Sequence, residues 1–298
     1  MLFRSLSACG EKPKTAPSPL TKITFVTDWK AEAEHGGFYQ AIAEGLYAKH
    51  GLDVTLIQGG PSVNVPQMIA GGAADFGIGS NAFIVMNTAV QNAPMKAVMA
   101  VFQKDPQVLI THPRDDVKSL ADMKGKPIMV SDATVTSFWE WLKSKYQFDD
   151  KQIRKYTFNL APFLADPKAI QQGYITSEPY TIEKEGGFRP QVFLLADDGY
   201  SGYANAVLAS TKWIEQKPKI VQAFVDASIE GWHDFLYGDN APAIALIKKD
   251  NPEMTDDIVA QAVQKMKDYG IVDSGEAKTL GIGAMNEDRW KNFYDTMT

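Results

Sequence analysis

The sequence predicts an α/β protein with two lobes and a ligand cleft between them. Short buried apolar runs alternate with segments of helical periodicity from residue 22 to about residue 209. At the start of this pattern, a strand, a crossover helix and a second strand form a βαβ unit. The chain has 298 residues, which is enough for two cores of ordinary size.

The first block of elements follows from the spacing of its apolar residues. Phe38, Ile42 and Leu46 recur at helical intervals, whereas short apolar or alternating runs are typical of strands. We expect strands at residues 23–26, 52–57, 76–78 and 96–102, and helices at residues 36–50, 64–70 and 81–91. This alternation is characteristic of open α/β structure.

A second α/β block follows, and the chain then becomes mostly helical. We expect strands at residues 108–110, 127–130, 155–158, 174–176 and 191–195, and helices near residues 119–123 and at residues 136–146, 166–172 and 179–185. A last strand is expected at residues 206–209, followed by helices at residues 217–236, 241–249, 255–269 and 286–296. One strand with helices cannot form an α/β domain, so this part is expected to pack back on the first block.

These blocks define the predicted lobes. After an N-terminal segment of residues 1–21, lobe 1 comprises residues 22–107 with residues 204–298, and lobe 2 comprises residues 108–203. The chain crosses between the lobes near Gln107 and near Tyr203. Open α/β folds bind ligands beyond the carboxyl ends of their strands. We therefore expect a central cleft between the lobes. The sequence carries no signature of a cofactor site.

Charge and hydropathy argue against nucleic-acid binding and against a membrane-spanning segment. The net charge is −6, and we find no clustered Lys and Arg of the kind that nucleic-acid binding requires. The longest uncharged run, residues 76–95, contains several Gly, Asn and Gln residues and a Pro. These residues are costly in hydrocarbon, so we interpret the run as buried α/β structure and predict no internal transmembrane helix.

Cys9 is the single cysteine, so neither an intrachain disulfide nor a Cys-rich zinc site can form. It lies in Leu6-Ser7-Ala8-Cys9-Gly10, which resembles a bacterial lipobox, and a polar Pro-rich stretch suited to a tether follows. Only Met1-Leu2-Phe3 precede Arg4, which is less than the apolar run of a signal peptide. Either the start is truncated and Cys9 is the lipid attachment site, or the match is accidental and the segment is an unprocessed tail.

Several motifs, taken together, are specific to one class of protein. They are Thr27-Asp28-Trp29, Glu34-His35-Gly36-Gly37-Phe38-Tyr39, Gly51-Leu52-Asp53-Val54, Ala74-Asp75-Phe76-Gly77 and Gly173-Tyr174-Ile175-Thr176-Ser177-Glu178-Pro179-Tyr180. With them the chain resembles the periplasmic substrate-binding proteins of ABC importers, in the thiamine-pyrimidine-precursor and sulfonate subgroup. The resemblance implies the type II periplasmic binding protein fold, a small-molecule ligand, a membrane permease as partner and an extracytoplasmic, periplasmic or membrane-anchored location. We further expect a monomer without a cofactor.

The same subgroup includes fungal-type enzymes that build the thiamine pyrimidine from pyridoxal phosphate and one of their own histidines. In the resemblance, these enzymes place a Lys and then a His just after the Asp-x-Gly segment. This chain has Gly79 and Phe83 at the same spacing. A Schiff base needs the Lys, and the His is a reactant, so we predict that the chain is not an enzyme, with the synthase as the disfavoured alternative.

In lobe 1 the candidate ligand contacts follow strand ends. Trp29 offers a flat face for stacking a heterocycle; the alternative is a core Trp, and Asp28 beside it can instead cap a turn. His35 opens a helix and is expected to contact the ligand unless its role is structural. Tyr39, one turn further along the chain, shares that helix face. The four histidines show no metal-binding spacing, so no metal site is predicted.

Further candidates lie on turns and helix starts of both lobes. They are Gly60, Ser80 and Asn81 in lobe 1, and Asp132, Thr134, Glu178 and Tyr200 in lobe 2. Free backbone N–H groups at such turns can bind a ligand, but N-capping alone would explain Asp132 and Thr134. Glu178 could accept hydrogen bonds from an aminopyrimidine or simply complement the helix dipole. Tyr200 is a candidate second stacking wall.

The combined prediction is an importer binding protein for a small planar nitrogen heterocycle. A thiamine-precursor pyrimidine or a degradation product of thiamine is expected first, and riboflavin second. An alkyl sulfonate or nitrate-type anion comes third, because an anion would require an Arg or a row of bare amides. Nucleic acid is not expected as a partner.

Overall fold

A computed structural model describes residues 19–60 and 63–297, without the side chain of Ala133. Within these ranges, ten strands form two five-stranded sheets. The strands are β1 (Thr21–Val26), β2 (Leu52–Ile57), β3 (Phe76–Asn81), β4 (Met95–Phe102), β5 (Gln107–Thr111), β6 (Ile128–Val130), β7 (Ile153–Lys155), β8 (Ile170–Tyr174), β9 (Gln191–Leu194) and β10 (Ala204–Ser210).

Both sheets mix parallel and antiparallel strands. Sheet 1 has the order β2-β1-β3-β10-β4, with β1 parallel to β2 and β3 and with β10 antiparallel to both of its neighbours. Sheet 2 has the order β7-β6-β8-β5-β9, with β6 parallel to β7 and β8 and with β5 antiparallel to β8 and β9. The chain passes between the sheets after β4 and again after β9. The predicted α/β class with two crossings is confirmed; the exact lobe limits stay a working division.

Helices cover the sheets and form most of the C-terminal part. They are α1 (Gly36–Ala43), α2 (Leu46–Lys49), α3 (Val65–Ala70), α4 (Ala82–Val90), α5 (Asp132–Val135), α6 (Phe138–Tyr146), α7 (Ala161–Ala165), α8 (Glu178–Gly186), α9 (Thr211–Gln216), α10 (Pro218–Tyr237), α11 (Ala241–Asp250), α12 (Asp256–Asp268), α13 (Ala277–Leu280) and α14 (Glu287–Met297). Among the described residues, none of these helices is both long and apolar enough to cross a membrane.

Local sequence explains where several of these helices begin and end. Asn64 and Asn81 cap α3 and α4 by accepting the backbone N–H of the residue three positions on, at 3.0 and 3.1 Å. The predicted helix at residues 36–50 is interrupted, because Gly45 has a φ of 66° and the left-handed conformation cannot continue an α-helix. Short α2 then leads into β2.

Three sequence-based assignments in lobe 2 are wrong. Residues 166–172 were expected to be helical and residues 174–176 to form a strand, but the helix here is α7, which ends at Ala165, and the strand is β8 at residues 170–174. The cause is Gln171 and Gln172, which are buried in the middle of sheet 2 although their polarity is atypical of a central strand. The strand expected at residues 155–158 ends at Lys155, and Phe158 has a left-handed φ of 59°.

The crossing after β4 contains a buried carboxyl group. Asp105 is 1% exposed, and its Oδ1 accepts the backbone N–H of Gln107 at 3.0 Å. Burial raises the pKa of Asp105 to about 7. Because this pKa is above that of the unfolded chain, the folded state holds the proton more tightly. The free energy of unfolding should therefore fall as pH rises from about 4 to about 7.

Asp105→Asn is expected to stabilise the protein at about pH 8 by about 1–3 kcal/mol, because Asn keeps the acceptor and removes the buried charge. At about pH 5 the gain should be smaller. Urea unfolding at both pH values measures this. Asp197→Asn is the control, since it removes an exposed carboxylate paired with Lys104 near the crossings. An equal gain for Asp105→Asn at both pH values would contradict the assignment.

Candidate ligand cleft

Trp29 lies at the carboxyl end of β1 and is fixed there by its backbone. Its carbonyl oxygen accepts the Thr27 hydroxyl at 2.8 Å and the Gly59 N–H at 3.0 Å. A Cβ on Gly59 would lie 2.2 Å from the Thr27 backbone carbonyl oxygen. The loop after β2 can therefore approach the loop after β1 this closely only with glycine at this position. The two loops therefore hold the half-buried Trp29 side chain at the edge of sheet 1.

Phe158 of lobe 2 contacts Trp29 of lobe 1. The ring centroids are 4.8 Å apart, with an angle of 46° between the planes. Tyr156 continues the aromatic surface, with its ring 5.1 Å from that of Phe158. Phe158 is 49% exposed and has a positive φ, which is unusual for an aromatic residue. Phe158 was not predicted as a site residue, because its position was expected to lie inside a strand.

Glu34 makes the second contact between the lobes. Its Oε1 accepts the hydroxyl of Thr176, which lies beyond β8, and its carbonyl oxygen accepts the Asn205 side-chain N–H at 2.6 Å. Glu34 is 5% exposed, and burial raises the pKa of its carboxyl group. Glu34 and Thr176 were noticed only as parts of motifs, and Asn205 carried no signal in the sequence.

Glu178 begins α8 beside this contact. Its Oε2 accepts the backbone N–H of Tyr174 at 2.8 Å, and its Oε1 accepts the Tyr156 hydroxyl at 3.4 Å. Burial raises the pKa of Glu178. Burial, followed by the charges of Glu34, Asp28 and Glu178, raises the pKa of Glu32 well above its usual range. The carboxylates of both lobes therefore influence one another across the cleft.

His35 lies on the lobe 1 side of the same cluster. Its Nε2 is 3.1 Å from Asp28 Oδ1, and the residue is 2% exposed. No hydrogen-bond partner is present for the buried His35 Nδ1. Asp28 thus contacts His35, and the ligand role of His35 stays a prediction.

Three other candidates have protein partners. Tyr39 is buried, and its hydroxyl donates to Asp250 at 2.9 Å. The Thr134 hydroxyl donates to the Ser131 carbonyl at 2.7 Å and to Gln172 Oε1 at 2.6 Å. Asp132 is exposed and pairs with Lys155 at 2.9 Å.

Tyr200 is buried between aromatic residues of lobe 2 and Phe293 of α14, rather than against Trp29. It is 1% exposed, and its ring centroid lies 5.4 Å from those of both Trp141 and Phe293. Phe158 therefore occupies the position opposite Trp29 that we considered for Tyr200.

The remaining lobe 1 candidates lie at strand ends. Gly60 follows β2, and space is open around the position of its absent side chain. Ser80 and Asn81 end β3, and the Asn81 side chain caps α4. Cys9 lies outside the described residues. The predicted ligand contacts of Gly60, Ser80 and Asn81, and the lipid attachment at Cys9, therefore stay predictions.

The polar groups of the cleft do not assemble as a metal centre. Among residues 19–60 and 63–297, no group of three or more His, Cys, Asp or Glu side chains is arranged to hold a metal ion. What the two lobes bring together is an aromatic pair, with carboxylates and hydroxyls beside it. Such an arrangement can stack a planar ring and accept hydrogen bonds from it.

The family follows from a match to a known sequence model. The model described as NMT1/THI5 like matches residues 32–239, a range that includes Glu34, Phe158 and Glu178. The chain belongs to the NMT1/THI5-like family. This confirms the resemblance inferred from the motifs.

Two relatives in which the match extends over most of this NMT1/THI5-like chain are named as binding proteins. The riboflavin-binding protein RibY of Chloroflexus aurantiacus is 26% identical over 240 residues, which are 75% of this chain and 66% of RibY. The formylaminopyrimidine-binding protein of Halalkalibacterium halodurans is 23% identical over 235 residues, which are 76% and 70% of the two chains. The chain thus spans about two thirds of the length of these relatives.

Solved structures support the fold. The periplasmic aliphatic sulphonate binding protein SsuA of Escherichia coli superposes with a TM-score of 0.64 at 14% identity, covering 83% of this chain and 79% of SsuA. At this identity the likeness shows the two-lobed fold alone. An enzyme is also similar: the 4-amino-5-hydroxymethyl-2-methylpyrimidine phosphate synthase of Schizosaccharomyces pombe is 26% identical over 107 residues, which are 36% of this chain and 31% of the synthase.

Proposed function

We propose that this protein is the extracytoplasmic solute-binding component of an ABC importer and that it closes its two lobes on a small planar nitrogen heterocycle. The Trp29–Phe158 contact is the observation that carries this proposal, because the two rings come from different lobes. A planar ligand that stacks on both rings would favour the closed state over the open state. Differential affinity of this kind is what drives hinge closure.

The relatives indicate which heterocycles to consider first. A thiamine-precursor pyrimidine fits because Glu178 lies beside Tyr156 and can accept hydrogen bonds from ring amino groups. Riboflavin is the second candidate, supported by the match to RibY and by the width of its planar ring system. An alkyl sulfonate fits less well, since it has no ring to stack and would meet the carboxylates of Glu34 and Glu178.

We also propose a binding role without catalysis. Gly79 lies within β3, where a Cβ would meet Leu208 at 3.2 Å. The synthases have a Lys at the corresponding spacing, whereas Gly79 has no amine that could form a Schiff base. Phe83 in α4 likewise has no imidazole ring, so it cannot donate carbon and nitrogen as the consumed histidine would.

The location and partners follow from this role. A solute-binding component acts outside the cytoplasm and presents both lobes to a membrane permease, and we propose the same here. Cys9, if processed and acylated, would tether the protein to the membrane, although stable anchoring by lipid generally takes more than one acyl chain. We propose a monomer as the active unit.

A thermal-shift screen tests the ligand class. Riboflavin, formylaminopyrimidine or 4-amino-5-hydroxymethyl-2-methylpyrimidine should raise the melting temperature by about 5 °C at about 100 times its dissociation constant. Taurine, as the sulfonate, and nitrate are the comparison probes and should leave it unchanged. Small-angle scattering with the best ligand should show compaction.

Two results would contradict the proposal. A melting-temperature increase with taurine or nitrate alone would replace the heterocycle by a sulfonate or a nitrate-type anion. For catalysis, the test is incubation with pyridoxal phosphate and iron. An internal aldimine absorbance, or a mass change at a histidine such as His35, would reinstate the enzyme.

A further inference from the structure

We propose that the cleft binds a positively charged planar ring more tightly than neutral or anionic rings of the same shape. This inference rests on the proposed binding function and adds the charge of the ligand to it. Two independent features of the described residues lead to it: an aromatic pair between the lobes, and carboxylates from both lobes beside that pair.

The first feature is the aromatic surface of Trp29, Phe158 and Tyr156. Phe158 keeps almost half of its surface exposed and has an unusual backbone conformation, yet it packs on Trp29 of the other lobe. Burial of Phe158 in its own lobe does not explain this placement. The faces of such rings attract cations, most strongly where water is excluded.

The second feature is the position of Glu178 and Glu34 relative to that surface. Tyr156 connects them to it, since its ring packs on Phe158 and its hydroxyl donates to Glu178. Thr176, two residues before Glu178, donates its hydroxyl to Glu34 of lobe 1. Closing the lobes therefore brings a carboxylate from each lobe to the edge of the same aromatic surface.

The charges around this point are mostly negative. The titratable groups that face Glu34 and Glu178, or influence the groups around them, are Asp28, Glu32, His35, Asp105, Tyr156 and Tyr174. Of these, only His35 can carry a positive charge, and its Nε2 contacts Asp28. The buried Nδ1 of His35 has no protein partner, which leaves one further polar atom beside the acidic groups.

Electrostatics then determines which ligand favours closure. Like charges in a low-dielectric site destabilise one another, so bringing the carboxylates of both lobes together without a cation costs free energy. The raised pKa values of Glu32, Glu34 and Glu178 have the sign that this requires. A cationic ring supplies the missing positive charge directly, and an anion adds to the repulsion.

Three probes of nearly equal shape separate charge from stacking. Benzamidine is a planar cation, benzamide is its neutral counterpart and benzoate is the anion. By calorimetry we expect benzamidine to bind at least about tenfold more tightly than benzamide, and benzoate to bind more weakly than benzamide. Benzamidine should bind more tightly at about pH 8 than at about pH 5.5, because the carboxyl groups must lose their protons to pair with it.

Glu178→Gln and Glu34→Gln test the source of the preference, since Gln keeps an acceptor oxygen and removes the charge. Each should reduce the benzamidine-to-benzamide affinity ratio by about three- to tenfold. Glu253→Gln is the control: this exposed glutamate pairs with Lys30, also exposed, at 3.4 Å, and its loss should leave the ratio unchanged. Melting curves confirm that each variant is folded.

The proposal is overturned if benzamide or benzoate binds as tightly as benzamidine, if benzamidine does not bind at about 10 mM, or if both cleft variants keep the original ratio. Such results leave the proposed function intact when riboflavin or a pyrimidine still raises the melting temperature. If those compounds also fail to bind and taurine binds, the proposed function itself is wrong.

Discussion

Trp29→Ala is expected to weaken binding of the planar ligand about 100-fold, which corresponds to about 2.7 kcal/mol. The loss combines the apolar area that the indole covers with the stacking contribution of an aromatic pair. Calorimetry with whichever of riboflavin or the pyrimidines raises the melting temperature measures the change. Because Trp29 is held mainly by backbone hydrogen bonds of its loop, the variant should remain folded.

Phe158→Ala and the double variant make this test specific. If the ligand ring stacks on the surface that both side chains form, the two single losses should not add, because both side chains act on the same bound ring. Tyr237→Ala is the control, since it removes another aromatic side chain that is 50% exposed and lies on α10. Equal affinity loss for Tyr237→Ala, or no loss for Trp29→Ala, would contradict the stacking role.

Most of the fold could be predicted from apolar periodicity. Residues 52–57 form β2 as expected, and the last helices begin and end within a few residues of their predicted positions. The errors occurred where a polar residue is buried or where a short turn departs from its local preference. Gln171 is fully buried in β8, and no local pattern distinguishes such a glutamine from one on a helix surface.

The candidate cleft could be predicted only in part, for a different physical reason. Trp29 and Glu178 follow strands, and strand ends can be read from one sequence. Phe158 and Thr176 gain their significance from residues of the other lobe, to which the chain connects only through the two crossings. Pairing across a hinge depends on tertiary geometry, so no spacing rule within one lobe could reveal it. The ligand roles of the candidates stay predictions.

The helix pair α1 and α10 supports the lobe 1 side of the cleft, because α1 directly follows Glu34 and His35. Close approach of the two helices depends on glycine. A Cβ on Gly37 would lie 2.2 Å from Cγ of Trp232, and a Cβ on Gly231 would lie 2.2 Å from the Gly37 carbonyl oxygen. Both limiting atoms belong to the core, where Trp232 is fully buried.

Gly37→Ala is therefore expected to destabilise the protein by about 3 kcal/mol, since a packed core cannot accommodate the extra methyl group without moving α10. Helix propensity alone predicts the opposite sign, because Ala is favoured over Gly inside a helix by about 1 kcal/mol. Urea unfolding distinguishes the two. Gly60→Ala is the control, as its added methyl group would meet open space. A Gly37→Ala variant as stable as the parent would show that α1 and α10 pack less closely than this. A marked loss of stability would indicate that close packing of α1 on α10 supports the positions of Glu34 and His35, which directly precede α1.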